Sequence, residues 1–437
     1  MLIDFGKYLN TLSTARLERD LGTVTEVKGL LIKGFIPEVS LGSVCEVFPI
    51  HGKEGALCEV VGFEGPQALM MPLTPLQGVG HGSLIVLKET SAKLGLSDEL
   101  LGRVLDGLGR PMDRKGNVIS EVERSIYADT VNPLDRPPID EVMGLGVRSI
   151  DAFATLGRGQ RVGIMAGSGV GKSVLLGMMA KNANADVNVI AMIGERGREV
   201  REFVEHILGP EGLKKSVVVV ATSDQNALMR TRAAFVATTI AEHFSAQGKN
   251  VLLFMDSVTR FAMAQREIGL SVGEPPTSKG YTPSVYSLLP KLFERAGRFE
   301  NNGSITGLYT VLVEGDDFND PISDAVRSIV DGHIVLTRQL AQKGHFPAVD
   351  VLQSASRVMR QVAGDDQVKL ASFLKELLAI YKESEDLINI GAYKSGQNKK
   401  LDLAIQLKDH IDGFLRQDLN ESQSFEETQS LMAQLVT

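Results

Sequence analysis

Residues 163–174 read GIMAGSGVGKSV, and the fold follows from what stands on either side of them. Upstream, Arg161 to Ala166 (RVGIMA) is a short, mostly apolar run that reads as a strand. Downstream, Lys172 and Ser173 open SVLLGMMAKNA, which reads as a helix. Between them Gly167, Gly169 and Gly171 free the backbone. A strand, glycine loop and helix in this order turn backbone N–H groups inward around a phosphate, and the helix N-terminus adds partial positive charge. The Lys172 ammonium can reach the outer phosphates of such a ligand, while the Ser173 hydroxyl ligates Mg²⁺. The usual spacing is G-x-x-x-x-G-K-[ST]. Here Ala166 holds the first position, which removes one flexible residue but no phosphate-contacting donor. The cradle of Ala166, Gly167, Ser168, Gly169, Val170, Gly171, Lys172, Ser173 and Val174 is therefore read as a nucleotide site in preference to a packing turn.

Working outward, apolar strands alternate with helices from Asp151 to about Val358. Strand candidates are 187–193 (VNVIAMI), 216–221 (SVVVVA), 250–255 (NVLLFM), 305–313 (ITGLYTVLV) and 333–337 (HIVLT), with a long helix over 225–247. Strands apolar on both faces, alternating with helices, predict a parallel sheet covered on two sides. Before it, from Gly22 to Glu89, five or six short β-type runs are separated by Gly/Pro turns and predict a small β-barrel. Residues 90–150 read as a Gly- and Pro-rich connector packed on the next domain. Beyond 365 the pattern is helical, with Leu403, Leu407, Ile411, Phe414 and Leu415 on one face. Such a stripe reads as core or subunit contact. The last residues, ESQSFEETQSLMAQLVT, either fray or dock on a neighbour. The division is thus 1–89 (barrel), 90–364 (connector and nucleotide-binding core) and 365–437 (helical).

Composition narrows the class of protein. A chain of 437 residues with 43% apolar content can bury two or three cores. A net charge of −8 argues against nucleic acid as the main partner, because phosphate backbones recruit clustered Lys and Arg. The two cysteines, Cys45 and Cys58, match no metal or redox spacing and read as structural thiols. No secretory h-region opens the chain, and no run approaches the roughly 18 apolar residues of a membrane span. A cytoplasmic protein is the expectation.

A phosphate loop binds, and hydrolysis needs further groups. An acidic residue ending a second strand of the sheet holds Mg²⁺ through water; VLLFMDS supplies Asp256, which could instead cap the helix that follows. The attacking water needs a carboxylate to orient it. After VNVIAMI comes GERGREV, which places Glu195 at a strand end beside the loop. Glu199 would share its face if a helix starts there, as an outer Mg²⁺ contact, with Arg196 orienting the pair. An exposed charged turn is the alternative reading of this segment. A cation meeting the γ-phosphate charge is often an arginine from a neighbouring subunit. From spacing alone, Arg357 in PAVDVLQSASR rates no more than a surface arginine.

Taken together, GERGRE, LLFMDSVTRFA and PAVDVLQSAS resemble, in order, motifs of the catalytic-type subunits of rotary ATP synthases. More closely, the chain resembles the type III protein-export ATPases, through RFAMAQREIGLSVGEPPTSKGYTPSVYSLLPKLFERAG and EGDDFNDPISDAVRSIVDGHIVL. DLINIGAYKSGQNKKLDLAI leans toward the flagellar branch. The resemblance spans nearly the whole chain. It implies an α/β fold with an N-terminal β-barrel, a RecA-like phosphate-loop core and a C-terminal helical domain. ATP and Mg²⁺ would be the ligands, with Lys172 and Ser173 on phosphate and metal, Glu195 as catalytic carboxylate, and Arg357 acting on the next subunit's nucleotide. Phe346 falls where the family places an aromatic against adenine, although a loop phenylalanine also reads as packing. A homohexameric ring is implied, peripheral to the inner face of the cytoplasmic membrane, with export-apparatus proteins, chaperones, cargo and the export gate as partners.

Three other readings compete. A proton-linked synthase subunit shares the core, but the acidic segment that such subunits carry is absent near KESEDLINIG. A ring-shaped nucleic-acid translocase would carry exposed aromatics and basic loops, whereas Phe35, Phe48 and Phe63 have few flanking cations. A non-catalytic regulatory subunit would lack a carboxylate at Glu195.

Overall fold

The computed structural model describes residues 21–300, 302–313, 315 and 320–436. The first twenty residues of the predicted barrel domain, and part of the EGDDFNDPIS stretch, lie outside them. Two compact units emerge, one reaching to Lys93 and including Ser271–Gly273, the other comprising Leu94–Leu270 and Glu274 onward.

The first unit is the predicted barrel. Six strands, β1 (Leu21–Lys28), β2 (Leu31–Phe35), β3 (Val44–Val47), β4 (Ala56–Glu64), β5 (Gln67–Pro72) and β6 (Leu84–Glu89), close in the order β1-β2-β5-β4-β3-β6 with every pairing antiparallel. Closure removes both sheet edges. Alternate side chains fill the interior, among them Val24, Ile32, Val47, Met70 and Ile85. Cys45 and Cys58 face each other across β3 and β4, both buried and both free. Burial pushes each thiol up to about 12, so at neutral pH they are packing groups.

The second unit is built on one nine-stranded sheet. Its strands are β7 (Val104–Asp106), β8 (Arg161–Ala166), β9 (Val187–Ile193), β10 (Ser216–Ala221), β11 (Asn250–Asp256), β12 (Ser304–Leu312), β13 (Gly332–Leu336) and β14 (Ala355–Ser356), with Gly297–Arg298 pairing on β12. They lie in the order β14-β13-β8-β12-β11-β9-β10-β7, parallel from β13 through β7. All seven residues of β9 and all six of β10 are buried, the burial that helices on both faces impose.

β7 is a difference from the sequence reading. The Gly/Pro-rich connector adds an edge strand to this sheet, pairing Val104–Asp106 with Val218–Val220. Three residues between turn glycines are too few to show periodicity. The Arg103–Asp113 ion pair holds the turn that follows, with Nε–Oδ2 2.7 Å, and keeps the Asp113 carboxyl down at about 2.

The helical region belongs to the same compact unit as the sheet. The helices α6 (Asp365–Asn389) and α7 (Lys399–Leu415) pack together, and α8 (Phe425–Gln434) packs on α1 (Arg148–Phe153). Ile411, Phe414 and Leu415 of the predicted stripe are buried, while Leu403 and Leu407 are half-buried. Buried Arg148 ties these elements down, donating to the Phe414 and Arg416 carbonyls and to the Glu421 carboxylate. Gln417 closes the joint, giving its amide to the Gly146 carbonyl and accepting from Arg148 N–H, each at 2.9 Å. Through Val436 the final residues are docked on the chain's own core. Ser424 and Glu427 form a reciprocal cap on α8, and Met432 is fully buried against the chain's own core.

Candidate active site

β8 delivers Ala166 in register with Leu312 of β12 and Leu336 of β13, at the carboxyl edge of the parallel sheet. Loop residues 167–171 then lead into α2 (Lys172–Asn182). Ala166 retains strand geometry, so the glycine of the usual pattern is not needed there. Gly169 (φ 75°) and Gly171 (φ 85°) are left-handed, a conformation costly for other residues. Buried Val170 anchors the loop, while Ser168 and Gly169 are exposed and Gly167 is buried. Gly171 caps α2 without any side-chain acceptor, which leaves the first N–H groups of the helix available to an anion. Ser173 is half-buried in the first turn and Val174 lies open beside it.

Two neighbouring strands supply the carboxylates. β11 ends on Asp256, 2% exposed. β9 ends at Ile193, and Gly194 (φ 70°) turns the chain so that Glu195 stands beside the loop. The structure brings both to one cation. Lys172 Nζ donates to Asp256 Oδ1 and, at 3.3 Å, to Glu195 Oε1. Burial alone would lower the Lys172 pKa, but Asp256 and Glu195 outweigh it and hold the ammonium above its ordinary value. For Asp256, burial pushes the carboxyl up, partly offset by Lys172 and by the Thr310 hydroxyl at 2.7 Å. Burial likewise raises Glu195 against the pull of Lys172, and a hydrogen bond with Glu199 raises it further.

Glu199 thus meets Glu195, although the helix α3 (Gly197–Glu202) begins two residues after Glu195. The Arg196 side chain, 82% exposed, reaches Glu199 at 3.4 Å. Among the described residues no group of three or more His, Cys, Asp or Glu could hold a metal ion. A hard divalent cation here would rest on Ser173, one or two carboxylates and the oxygens of its own phosphate ligand, the usual arrangement for Mg²⁺.

Phe346 lies 175 residues from Gly171 in sequence, yet a Cβ added to Gly171 would meet its ring at 3.4 Å. Its carbonyl accepts from Gln417 N–H, and the ring is 46% exposed. The aromatic therefore borders the phosphate loop with a face open. Arg357 is elsewhere. It follows β14, which pairs with Gly332 and His333 at the start of β13, while the loop leaves β8 opposite Leu336 at the strand's other end. Gly332 to Leu336 is four rises, about 13 Å of strand, and the exposed Arg357 side chain touches the Arg327 carbonyl at 3.5 Å.

Sequence reasoning missed two side chains. Thr310 binds Asp256 from the adjacent strand, and in ITGLYTVLV it reads as an ordinary strand threonine. Arg260, in α5 (Val258–Ser271), lies over Gly194, where an added Cβ would come within 2.9 Å of its own Cβ. Register within the sheet reveals the first, and the seating of α5 over the Gly194 turn the second.

A family model for the nucleotide-binding domain of the ATP synthase alpha/beta family matches residues 146–356, and one for the T3SS EscN ATPase C-terminal domain matches 363–434. The chain is 52% identical over 416 residues to the flagellum-specific ATP synthase of Bacillus subtilis (strain 168), covering 95% of this chain and 94% of that protein. The chain belongs to the family of flagellar and type III secretion ATPases. Among solved structures, the assembled ATPase EscN of the enteropathogenic E. coli type III secretion system superposes with a TM-score of 0.90 at 47% identity, over 95% of this chain and 100% of that one. EscN in complex with its central stalk EscO gives 0.88 at 46%, with the same coverage. Barrel, sheet and helical region are thus the architecture of this ATPase family.

Gly171→Ala probes the cradle directly. It places a side chain in the left-handed region, at a cost of about 1–2 kcal/mol, with the new methyl in van der Waals contact with the Phe346 ring. Titration with a fluorescent ATP analogue should show affinity falling roughly tenfold; unchanged affinity would contradict the assigned loop geometry.

Proposed function

We propose that this chain hydrolyses ATP to ADP and phosphate and so energises protein export through a type III apparatus of the flagellar kind, acting as a homohexameric ring. The observation that carries the chemistry is the placement of Lys172 between Asp256 and Glu195 at the mouth of an uncapped glycine loop. The export role is supported by the names of the relatives, flagellum-specific ATP synthase and type III secretion ATPase. They do not favour a proton-linked synthase or a nucleic-acid translocase.

Each residue then has a task. Backbone N–H groups from Gly167 to Ser173 bind the phosphates, with Ala166 and Val174 bordering the loop. Lys172 leaves the carboxylates for the outer phosphates. Bound Mg²⁺ supplies charge neutralisation at the phosphate oxygens. Ser173 and Asp256 hold it, with Glu199 as an outer contact. Glu195 orients and deprotonates the attacking water, a role suited to a carboxyl whose burial raises its pKa. Arg196 steadies Glu199. Phe346 stacks on adenine, its exposed ring beside Gly171 being free to do so. Arg357, at the far edge of the sheet and turned to solvent, serves the nucleotide of an adjacent subunit.

A stalk protein is the first partner proposed, since EscN binds one. Export chaperones, cargo and a membrane-embedded gate follow from the export role, and nucleic acid does not. No helix among the described residues is long and apolar enough to cross a membrane. We place the ring in the cytoplasm, at the inner face of the membrane.

Glu195→Gln should retain ATP binding while single-turnover hydrolysis slows at least about 10²-fold; a near-normal rate would assign the base elsewhere. Arg357→Ala should lower kcat of the assembled ring by roughly 10³-fold, the lower range for an arginine acting across an interface. Nucleotide affinity of the monomer should not change, and an equal loss in monomer and ring would reject action in trans.

A further inference from the structure

Asp256 has two carboxylate oxygens, and the described residues use them unequally. Lys172 Nζ and Thr310 Oγ1 both donate to Oδ1. Thr310 is fully buried in β12. The pairing of Met255 with Tyr309 carries its side chain to the level of Asp256 at the end of the neighbouring strand. A threonine hydroxyl has one proton to give. At 2.7 Å to Oδ1, against 3.3 Å to the Met255 carbonyl, that proton goes to the carboxylate.

The two donors differ in what they can do next. Lys172 sits on a loop-to-helix turn and ends in a flexible ammonium that phosphate would draw away. Thr310 is held by a central strand with neighbours on both sides, Ile164 of β8 being its partner in register. Once the ammonium has moved, the hydroxyl is the donor that remains to fix which way the carboxylate faces.

We propose that Thr310 is a positioning residue for the metal side of the reaction: its hydroxyl clamps Asp256 Oδ1 and keeps Oδ2 free for the water shell of nucleotide-bound Mg²⁺. The inference rests on the reading of Asp256 given above. Valine has the same shape and the same fitness for a strand, so Thr310→Val removes the proton and little else. Hydrogen-bond partners behind metal-directed ligands typically contribute 10- to 100-fold to metal affinity.

The test is a Mg²⁺ titration of the full-length chain, following the fluorescence of a bound ATP analogue, with parallel binding in EDTA and thermal melts. Thr310→Val and Thr310→Ala should each raise the half-saturating Mg²⁺ concentration about tenfold, with metal-free nucleotide binding unchanged. Thr310→Ser should restore the wild-type value. Wild-type Mg²⁺ dependence in the folded Val and Ala variants would overturn the proposal, as would a Ser variant as impaired as Val. Asp256→Asn separates the two levels of the argument. If it leaves the Mg²⁺ dependence unaltered, the reading of Asp256 fails and this one with it. If it shifts the dependence while Thr310→Val does not, only the role of Thr310 falls.

Discussion

A buried ammonium between two carboxylates is the constraint on which the site turns. Lys172 has lost most of its hydration, a cost that only close opposite charge offsets. Unit charges about 4 Å apart attract by about 4 kcal/mol at an effective dielectric near 20, so Asp256 and Glu195 together keep the lysine protonated. One ammonium thus faces two carboxyl groups that burial pushes upward, with Glu199 in a hydrogen bond with Glu195 at the rim. Such a group holds a bare triphosphate weakly. It accepts one that arrives with a divalent cation, because the cation can take over the carboxylates while Lys172 turns to the phosphates. In the proposed cycle, competition for this one cation couples nucleotide binding to metal binding.

The sheet makes that competition possible. β8, β11 and β9 end at one edge in the order that sets the phosphate loop, Asp256 and Glu195 side by side, with β12 between β8 and β11 contributing Thr310 from below. Each strand is buried on both faces, so its end is fixed to within the tolerance of core packing. The helical region fixes the other wall. Arg148 and Gln417 bind the segment after α7 to the core, and Gln417 N–H holds the Phe346 carbonyl, which sets the aromatic against Gly171. The adenine side of the proposed site is thus built by residues as far apart in the chain as Arg148 and Gln417.

How much of this was legible in the sequence depends on range. The loop, its strand and its helix are local, and glycines followed by Lys172 and Ser173 declare them outright. The five core strand candidates carry continuous apolar runs and appear where expected. Asp256 is readable as an acid closing such a run. Thr310 is not, because its meaning lies in which residue of the next strand it faces, and register leaves no local mark inside a uniformly buried run. β7 is too short to show a period. The contact of Phe346 with the loop, and the placement of Arg357 at the opposite edge, depend on pairings between segments far apart in the chain, and only the family resemblance pointed to either residue. For the final residues the sequence left fraying and docking both open, and their buried face finds a surface made by α1.

The most direct test of the account is a structure of the chain with a non-hydrolysable ATP analogue and Mg²⁺. Lys172 Nζ should then lie on phosphate oxygens, no longer on Asp256, with the metal between Ser173 and the Asp256 carboxylate. An analogue bound elsewhere, or bound in the loop with Lys172 still on Asp256, would contradict it.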